Sequence, residues 1–269
     1  MTDHADGAPD LPDGPPRVVF EGAVARVLLC RPRQHNRIDP DDIAPLQAAF
    51  DRVATDPTVR ALVLEGSGTR TFSSGYTLHA IADTLDDRFE RMLDTLETLP
   101  VPTVCAIRGG VYGGGTDLAL CCDLRVGTPA ARMFMPAARF GLHYFPGGLR
   151  RYAARLGQTA ARKLFLTGAT IGAEEMLRIG FLTELVPDQA VDTTVAGHVQ
   201  AILACEREAV AGMKASLGAI ARGAPDWAEI RGRYEASLRS EALRARLADR
   251  LSGSSNPSAA GSPGGGTTG

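Results

Sequence analysis

The first half of this chain alternates short apolar runs with segments of helical periodicity, and this alternation constrains the fold most. The runs Arg60–Gly66, Thr103–Ile107 and Asp123–Gly127 have the length and composition of buried strands. The segments after Pro40 and from Asp86 to Leu99 carry apolar residues at helical spacing. Strands and helices joined by short connections are typical of right-handed βαβ units. The sequence therefore predicts an α/β fold.

A hairpin precedes this region and a helical segment follows it. The hairpin is predicted to turn at Gly22, between strands that begin at Val18 and Val24. After Gly148 the good helix formers Ala, Leu, Glu and Arg dominate. The elements predicted there are helices at Arg150–Leu166 and Ala173–Ile179, a strand at Leu182–Val186, and helices at Val195–Ala221 and Trp227–Arg250.

Composition and the two chain ends narrow the functional classes. The 29 basic and 31 acidic residues give a net charge of −2, which argues against a nucleic-acid-binding protein. The five cysteines lack zinc-ligand spacing, so we expect buried thiols and no metal site. Met1–Pro16 is unlike a signal peptide, and no run of roughly 20 apolar residues occurs. We expect a cytoplasmic protein without a membrane partner, with disordered segments at 1–16 and 252–269.

Two glycine-containing segments follow predicted strands. The first is Thr71–Leu78, and the second is Arg108–Leu120, which contains three consecutive glycines. Glycine allows a backbone to approach a ligand closely, and the first N–H groups of a helix are free donors. Two such segments side by side can aim two N–H groups at one developing oxyanion. The alternative is that these glycines serve tight turns and helix packing. Neither a dinucleotide-binding fingerprint nor a P-loop is present.

Several motifs together resemble one family, the crotonase superfamily of enoyl-CoA hydratases and isomerases. The resemblance covers most of the predicted folded part. Its motifs are Arg31-Pro32 with Asn36, Phe72-Ser73-Ser74-Gly75, the segment Pro102–Asp123 with Gly113-Gly114-Gly115, Pro146-Gly147-Gly148, and Leu166-Thr167-Gly168.

The resemblance implies a fold and an activity. The fold would be a spiral of ββα units over residues 17–190, with a helical region at 191–251 that assembles a homotrimer or a dimer of trimers. The substrate would be an acyl-CoA or related thioester, whose carbonyl oxygen lies between the backbone N–H groups of Tyr76 and Gly114. An enolate would be stabilised there. No cofactor is expected, because coenzyme A is part of the substrate.

The remaining candidate site residues surround the two glycine segments. Ser74, Gly75 and Gly113 belong to the segments themselves, and Tyr112, His143 and Tyr144 are polar residues near them. All six are predicted to bind substrate. The alternative is that the glycines serve turns and helix packing and that Tyr112, His143 and Tyr144 are packing residues. A histidine titrates near neutrality, so His143 is also a candidate proton carrier, and His79 lies near the expected channel.

The sequence departs from the family at its catalytic carboxylates. Hydratases of the family use two, and only Asp117 matches the pair, because the second position is Ala137. Asp117 is therefore the predicted catalytic residue, with a helix-capping acid as the alternative reading. One acid/base group suffices for isomerisation, whereas hydration normally needs two. Decarboxylation, carbon–carbon cleavage, and an inactive thioester-binding or assembly subunit stay open, as does a carrier-protein thioester.

Overall fold

The strands in the part of the chain that the structure describes form two sheets. The structure, a computed structural model, describes residues 13–253. The strands are β1 Arg17–Glu21, β2 Val24–Leu29, β3 Ala61–Gly66, β4 Thr71–Ser73, β5 Thr103–Ile107, β6 Gly110–Tyr112, β7 Leu124–Gly127, β8 Arg132–Phe134, β9 Ile171–Gly172 and β10 Glu184–Leu185. The larger sheet has the order β1-β2-β3-β5-β7-β10, and the smaller has the order β4-β6-β8-β9. The predicted hairpin at Gly22 is confirmed, since β1 pairs antiparallel with β2.

The described residues also form ten α-helices. They are α1 Ile43–Thr55, α2 Ile81–Thr84, α3 Asp87–Thr98, α4 Gly114–Cys121, α5 Pro146–Thr167, α6 Ala173–Arg178, α7 Val191–Ala204, α8 Arg207–Ala221, α9 Trp227–Arg239 and α10 Glu241–Gly253. Within residues 13–253, none of them has both the length and the apolar character needed to cross a membrane.

The fold repeats one structural unit. Strands β3, β5 and β7 of the larger sheet pair in parallel, and each is followed by a short strand of the smaller sheet. Those short strands also pair in parallel, with Thr71 opposite Gly110 and Val111 opposite Met133. This arrangement confirms the predicted crotonase-like ββα spiral. The sequence analysis missed the smaller sheet because strands of two or three residues carry no periodicity.

The two faces of the larger sheet bury different helices. Helices α1 and α3 pack on one face through Phe50, Leu93 and other apolar residues. On the other face, Val63 and Val104 contact the valines of α7, such as Val195. The described chain divides into two compact units. Residues 13–225, which include α7 and α8, form the first, and residues 226–253, with α9 and α10, form the second. This differs from the predicted boundary at residue 191.

Two long predicted helices are each interrupted. The helix expected over Val195–Ala221 is wrong as one element, because Cys205 is extended and the Glu206 carboxylate caps α8 by accepting from the N–H groups of Glu208 and Ala209. The helix expected over Trp227–Arg250 breaks at Ser240, which is also extended. Single breaks inside runs of helix formers leave no composition signal.

The chain ends depart in part from the predicted disorder. Of the segment at 1–16, residues 13–16 are described, and the Gly14 N–H donates to the Cys30 carbonyl at 2.7 Å. Helix α10 extends through Gly253, two residues into the segment at 252–269. The predictions for residues 1–12 and 254–269 lie outside the described residues.

Candidate active site

A cleft of about 330 Å³ opens beside the smaller sheet. Ser74, Tyr76, Tyr112, Gly113 and Tyr144 line it, as does His79. The rest of its lining is mostly apolar and consists of Arg37, Thr77, Leu78, Ile81, Phe134, Met135, Pro136, Ala137, Phe140 and Leu142. The structure thus brings five of the predicted site residues together at one cavity. Gly75, Gly114, Asp117 and His143 lie outside the lining.

The two glycine segments meet because they follow neighbouring parallel strands. Gly75 follows β4 and Gly113 follows β6, so both turns leave the same edge of the smaller sheet. Gly75 has a φ of +77°, and a Cβ atom built there would lie 2.5 Å from the Gly114 nitrogen. Only glycine permits both that φ and that approach. The backbones of the two segments are therefore in direct contact.

A buried asparagine fixes the first segment. The Asn36 side-chain amide donates to the carbonyls of Ser67 and Thr71 at 2.9 and 2.8 Å. Two residues later, the Ile38 N–H donates to the Gly75 carbonyl at 2.8 Å, and its carbonyl accepts from the Thr77 N–H at 3.0 Å. Because Ile38 forms hydrogen bonds with the Gly75 carbonyl and the Thr77 N–H, on either side of Tyr76, the Tyr76 N–H points away from Ile38.

Two free backbone donors result. The Tyr76 N–H points away from Ile38, and the Tyr76 nitrogen lies 3.4 Å from the Cβ position of Gly114. Gly114 is the first residue of α4, so its N–H has no partner within the helix. Among residues 13–253, neither N–H has a hydrogen-bond acceptor. Two adjacent unpaired donors at a helix N-terminus are suited to bind an oxygen that carries negative charge.

Asp117 lies in the same helix but is turned into the protein. Its side chain is fully buried and receives two hydrogen bonds from Arg151 of α5, Nε to Oδ1 at 2.8 Å and Nη2 to Oδ2 at 3.1 Å. Arg151 is also fully buried and donates to Asp94 and Glu97 at 2.6 and 3.1 Å. Burial raises the pKa of Asp117, and the Arg151 guanidinium opposes that rise.

Known proteins are similar to this chain in sequence and in fold. The family model for enoyl-CoA hydratase/isomerase matches residues 19–235. The (E)-benzylidenesuccinyl-CoA hydratase of Thauera aromatica is 31% identical over 185 residues, which are 66% of this chain and 72% of the relative. The chain belongs to the enoyl-CoA hydratase/isomerase family.

Two further comparisons agree with this family. The short-chain-enoyl-CoA hydratase of Clostridium acetobutylicum is 29% identical over 64% of this chain and 69% of its own length. A crystal structure of an enoyl-CoA hydratase/carnithine racemase from Magnetospirillum magneticum is 26% identical. It superimposes with a TM-score of 0.80 over 88% of this chain and 92% of that one. The resemblance found in the sequence is confirmed.

Tyr144 lies between Asp117 and the cleft. Its hydroxyl donates to Asp117 Oδ2 at 3.4 Å, while the residue also lines the cavity. Its ring lies against Gly148, where a Cβ atom would be 2.2 Å from Tyr144 Cε1. Burial and the nearby Asp117 carboxylate raise the pKa of Tyr144 well above 10, so the hydroxyl stays protonated.

The described lining of the cleft carries no acidic side chain. Ala137 lines the cleft, and none of the described residues that line it is aspartate or glutamate. His143 is exposed, and its Nδ1 lies 2.9 Å from the Tyr144 carbonyl oxygen. His79 is exposed. The arrangement therefore offers two backbone donors and tyrosine hydroxyls, with the carboxylate one side chain further back.

Arg151 and the apolar residues that line the cleft around Ala137 were not predicted from the sequence. Arg151 follows the Pro146-Gly147-Gly148 motif by three residues, but an arginine in a helix is ordinarily exposed, and only the packing of α5 on α4 buries it. Phe134, Met135, Phe140 and Leu142 flank Ala137 on both sides. Because the resemblance predicts a site position at Ala137, its apolar neighbours could have been recognised as cavity residues.

Proposed function

We propose that this protein is an enzyme that acts on an acyl-CoA thioester through an enolate. The thioester carbonyl oxygen accepts hydrogen bonds from the Tyr76 and Gly114 N–H groups. The single observation that carries the proposal is this pair of unpaired donors beside the cleft. Negative charge builds on the oxygen as the enolate forms, and one such donor typically lowers the barrier by about 3 kcal/mol.

The proton at the substrate α-carbon is handled by Asp117 through Tyr144. The Tyr144 oxygen takes the α-proton while its own proton passes to Asp117 Oδ2, so the carboxylate is neutralised as the enolate gains the charge. Burial of Asp117 supports this role, because a raised pKa makes a carboxylate a stronger base. One acid/base group of this kind suffices for isomerisation.

A second reaction class is favoured by Ala137. A wall without a carboxylate suits a reaction that forms the enolate by losing CO₂ or by breaking a carbon–carbon bond, which needs the two donors and no protein base at the α-carbon. Deuterium exchange separates the two. An enzyme that removes an α-proton incorporates solvent deuterium into a simple acyl-CoA, whereas a decarboxylase releases CO₂ from a malonyl-type thioester. An inactive binding subunit does neither.

The donors are tested through the carbonyl group itself. Acyl-CoA carrying ¹³C at the thioester carbonyl is titrated into the protein, and its infrared stretch should move to lower frequency on binding. In one variant, Tyr76 is replaced by the corresponding α-hydroxy acid, which removes the N–H and keeps the side chain. That replacement should reduce the shift and lower turnover by roughly 10²- to 10³-fold.

The same ester replacement at Tyr234 controls for the altered linkage. Tyr234 is on α9 and does not line the cleft, so this variant should bind and polarise the thioester like the parent. A thioester that binds with an unshifted carbonyl stretch, or a Tyr76 ester variant that matches the Tyr234 ester variant, contradicts the proposal.

We also propose that the protein assembles as a homotrimer or a dimer of trimers in the cytoplasm. Met213, Leu217 and Ile220 of α8 share one helix face and are 59%, 66% and 44% exposed. Exposed apolar side chains at this spacing support an interface. Light scattering should give a multiple of three times 28.4 kDa, and a monomer at micromolar concentrations contradicts it.

A further inference from the structure

We infer that the acyl group taken by the cleft is an uncharged aromatic ring system. This rests on the proposed function, since it assumes a thioester carbonyl at the Tyr76 and Gly114 donors. The chain has only fifteen aromatic side chains, nine Phe, five Tyr and one Trp. Five of them line this one cavity, namely Tyr76, Tyr112, Phe134, Phe140 and Tyr144. Aromatic residues are thus concentrated where the acyl group must lie.

The first rigid wall is formed by Tyr112 and Phe134. Tyr112 lies against Gly110, where a Cβ atom would be 2.1 Å from the tyrosine oxygen. Its hydroxyl accepts a hydrogen bond from Arg132 Nε at 2.8 Å. The two rings contact each other with centroids 4.9 Å apart and an angle of 43°. The Tyr112 ring is therefore held at its face and at its tip, and the pair is fixed before any ligand arrives.

The second rigid wall is formed by Tyr144. Its ring stacks on Phe145 with centroids 4.3 Å apart and contacts Phe165 at 5.3 Å. The Tyr144 ring also packs against Gly148. Fixed aromatic walls favour a flat and rigid ligand, because such a ligand loses little conformational entropy on binding and forms ring–ring contacts. A flexible alkyl chain must instead freeze several rotatable bonds.

The space between the walls is apolar and of suitable size. Met135, Ala137 and Leu142 complete the lining, and the small Ala137 side chain leaves room near the acyl group. A volume of about 330 Å³ is near the lower end of the range for small-molecule sites, roughly 300–1,000 Å³. No carboxylate of the described residues lines the cleft, and the Arg37 guanidinium in its lining is already ion-paired with Asp39 at 2.8 Å, so neither sign of charge is offered to the acyl group. At the rim, Phe140 and Leu78 are 61% and 64% exposed.

Three thioesters with eight-carbon acyl groups test this inference. Phenylacetyl-CoA, cyclohexylacetyl-CoA and octanoyl-CoA are matched in carbon number and differ in aromaticity and flexibility. Calorimetric titration should give phenylacetyl-CoA a Kd at least about tenfold lower than octanoyl-CoA. It should be about threefold lower than cyclohexylacetyl-CoA, within the range of roughly two- to tenfold expected for one favourable ring pair.

A matched pair of variants locates the effect. Phe134→Leu should remove most of the preference for phenylacetyl-CoA over octanoyl-CoA. Phe20→Leu makes the same change on β1, outside the cleft lining, and should leave the preference unchanged. Circular dichroism confirms that both variants are folded.

Each outcome decides between the inference and the function on which it rests. Octanoyl-CoA binding as tightly as phenylacetyl-CoA, with a shifted carbonyl stretch, overturns the aromatic inference and leaves the proposed function standing. Equal affinity for cyclohexylacetyl-CoA and phenylacetyl-CoA overturns it as well, because ring shape alone would then be selected. If none of the three binds more tightly than coenzyme A alone, the proposed function and the inference both fail.

Discussion

Gly75→Ala is the substitution that tests the site geometry most directly. The new Cβ atom would lie 2.5 Å from the Gly114 nitrogen, 2.6 Å from the Gly115 nitrogen and 2.8 Å from the Gly114 Cα. All three are backbone atoms at the start of α4, so no side chain can rotate away. The start of the helix or the Gly75 turn must move instead.

The size of the effect follows from these distances. Ordinary van der Waals contact requires roughly 3.5 Å, so the two segments must separate by about 1 Å. A misplacement of about 1 Å typically costs about 10²-fold in rate, which corresponds to about 2.7 kcal/mol in barrier height. The positive φ of Gly75, +77°, adds about 1–2 kcal/mol of destabilisation for a residue with a Cβ atom.

Gly223→Ala separates the backbone strain from the displacement. Gly223 has a φ of +71° and no atom within 4 Å of its Cβ position, so the variant carries a similar strain without the clash. Urea unfolding should show both variants destabilised, Gly75→Ala by the larger amount because the clash adds to the strain. Solvent-deuterium exchange at the α-carbon of the tightest-binding acyl-CoA, with the carbonyl infrared shift, should show a loss of about 10²-fold only in Gly75→Ala.

An almost unchanged rate of deuterium exchange would refute this reasoning. If folded Gly75→Ala exchanges deuterium within about threefold of Gly223→Ala, the spacing of the two N–H groups does not control the chemistry, because a displacement of this size should cost far more.

Three other measurements check the roles of buried groups. Asp117→Asn and Tyr144→Phe should keep acyl-CoA affinity and lower the rate of deuterium exchange by roughly 10²- to 10⁴-fold. His143 lies outside the cleft lining, so His143→Gln should leave that rate unchanged. An unchanged rate in Asp117→Asn would assign Asp117 to structure alone. Burial by itself would raise the pKa of Glu97, but hydrogen bonds and ion pairs with Arg150 and Arg151 lower it below its ordinary 4.5. Because a lowered pKa adds stability above the unfolded value, Glu97→Gln should cost about 2 kcal/mol at pH 7 in urea unfolding. That difference should narrow as the pH falls below 4.5, and a constant difference would contradict the pairing. Of the five thiols, only Cys205 is exposed, so a thiol reagent should modify one cysteine rapidly and the rest after unfolding; a second fast thiol would contradict the burial.

The larger sheet could be predicted because its strands are continuous apolar runs. Val63 on β3 and Val104 on β5 are buried in a sheet with helices on both faces, and such strands have an apolar sequence throughout. The glycine segments were also recognisable, because a required positive φ restricts the residue type at Gly75 and Gly113.

The surroundings of Asp117 could not be predicted in the same way. Its burial and its bidentate pairing with Arg151 arise where α5 packs on α4, and these two residues are 34 positions apart in the chain. The placement of Tyr144 between Asp117 and the cleft depends on the same contact. Long-range packing of this kind leaves no local periodicity, so the sequence could identify the carboxylate but not the side chain in front of it.

The free donors of the site belong to the main chain, so substitutions of the lining side chains can leave these donors in place. The two segments that carry them are held side by side where β4 pairs with β6, and any side chains compatible with the sheet maintain that backbone pairing. Under the proposed function, substitutions at positions such as Ala137 and Tyr144 would therefore alter the fate of the bound thioester without altering its activation. A protein engineer could exchange these wall residues to redirect the reaction, while Gly75, Gly113 and Gly114 would have to be left as they are.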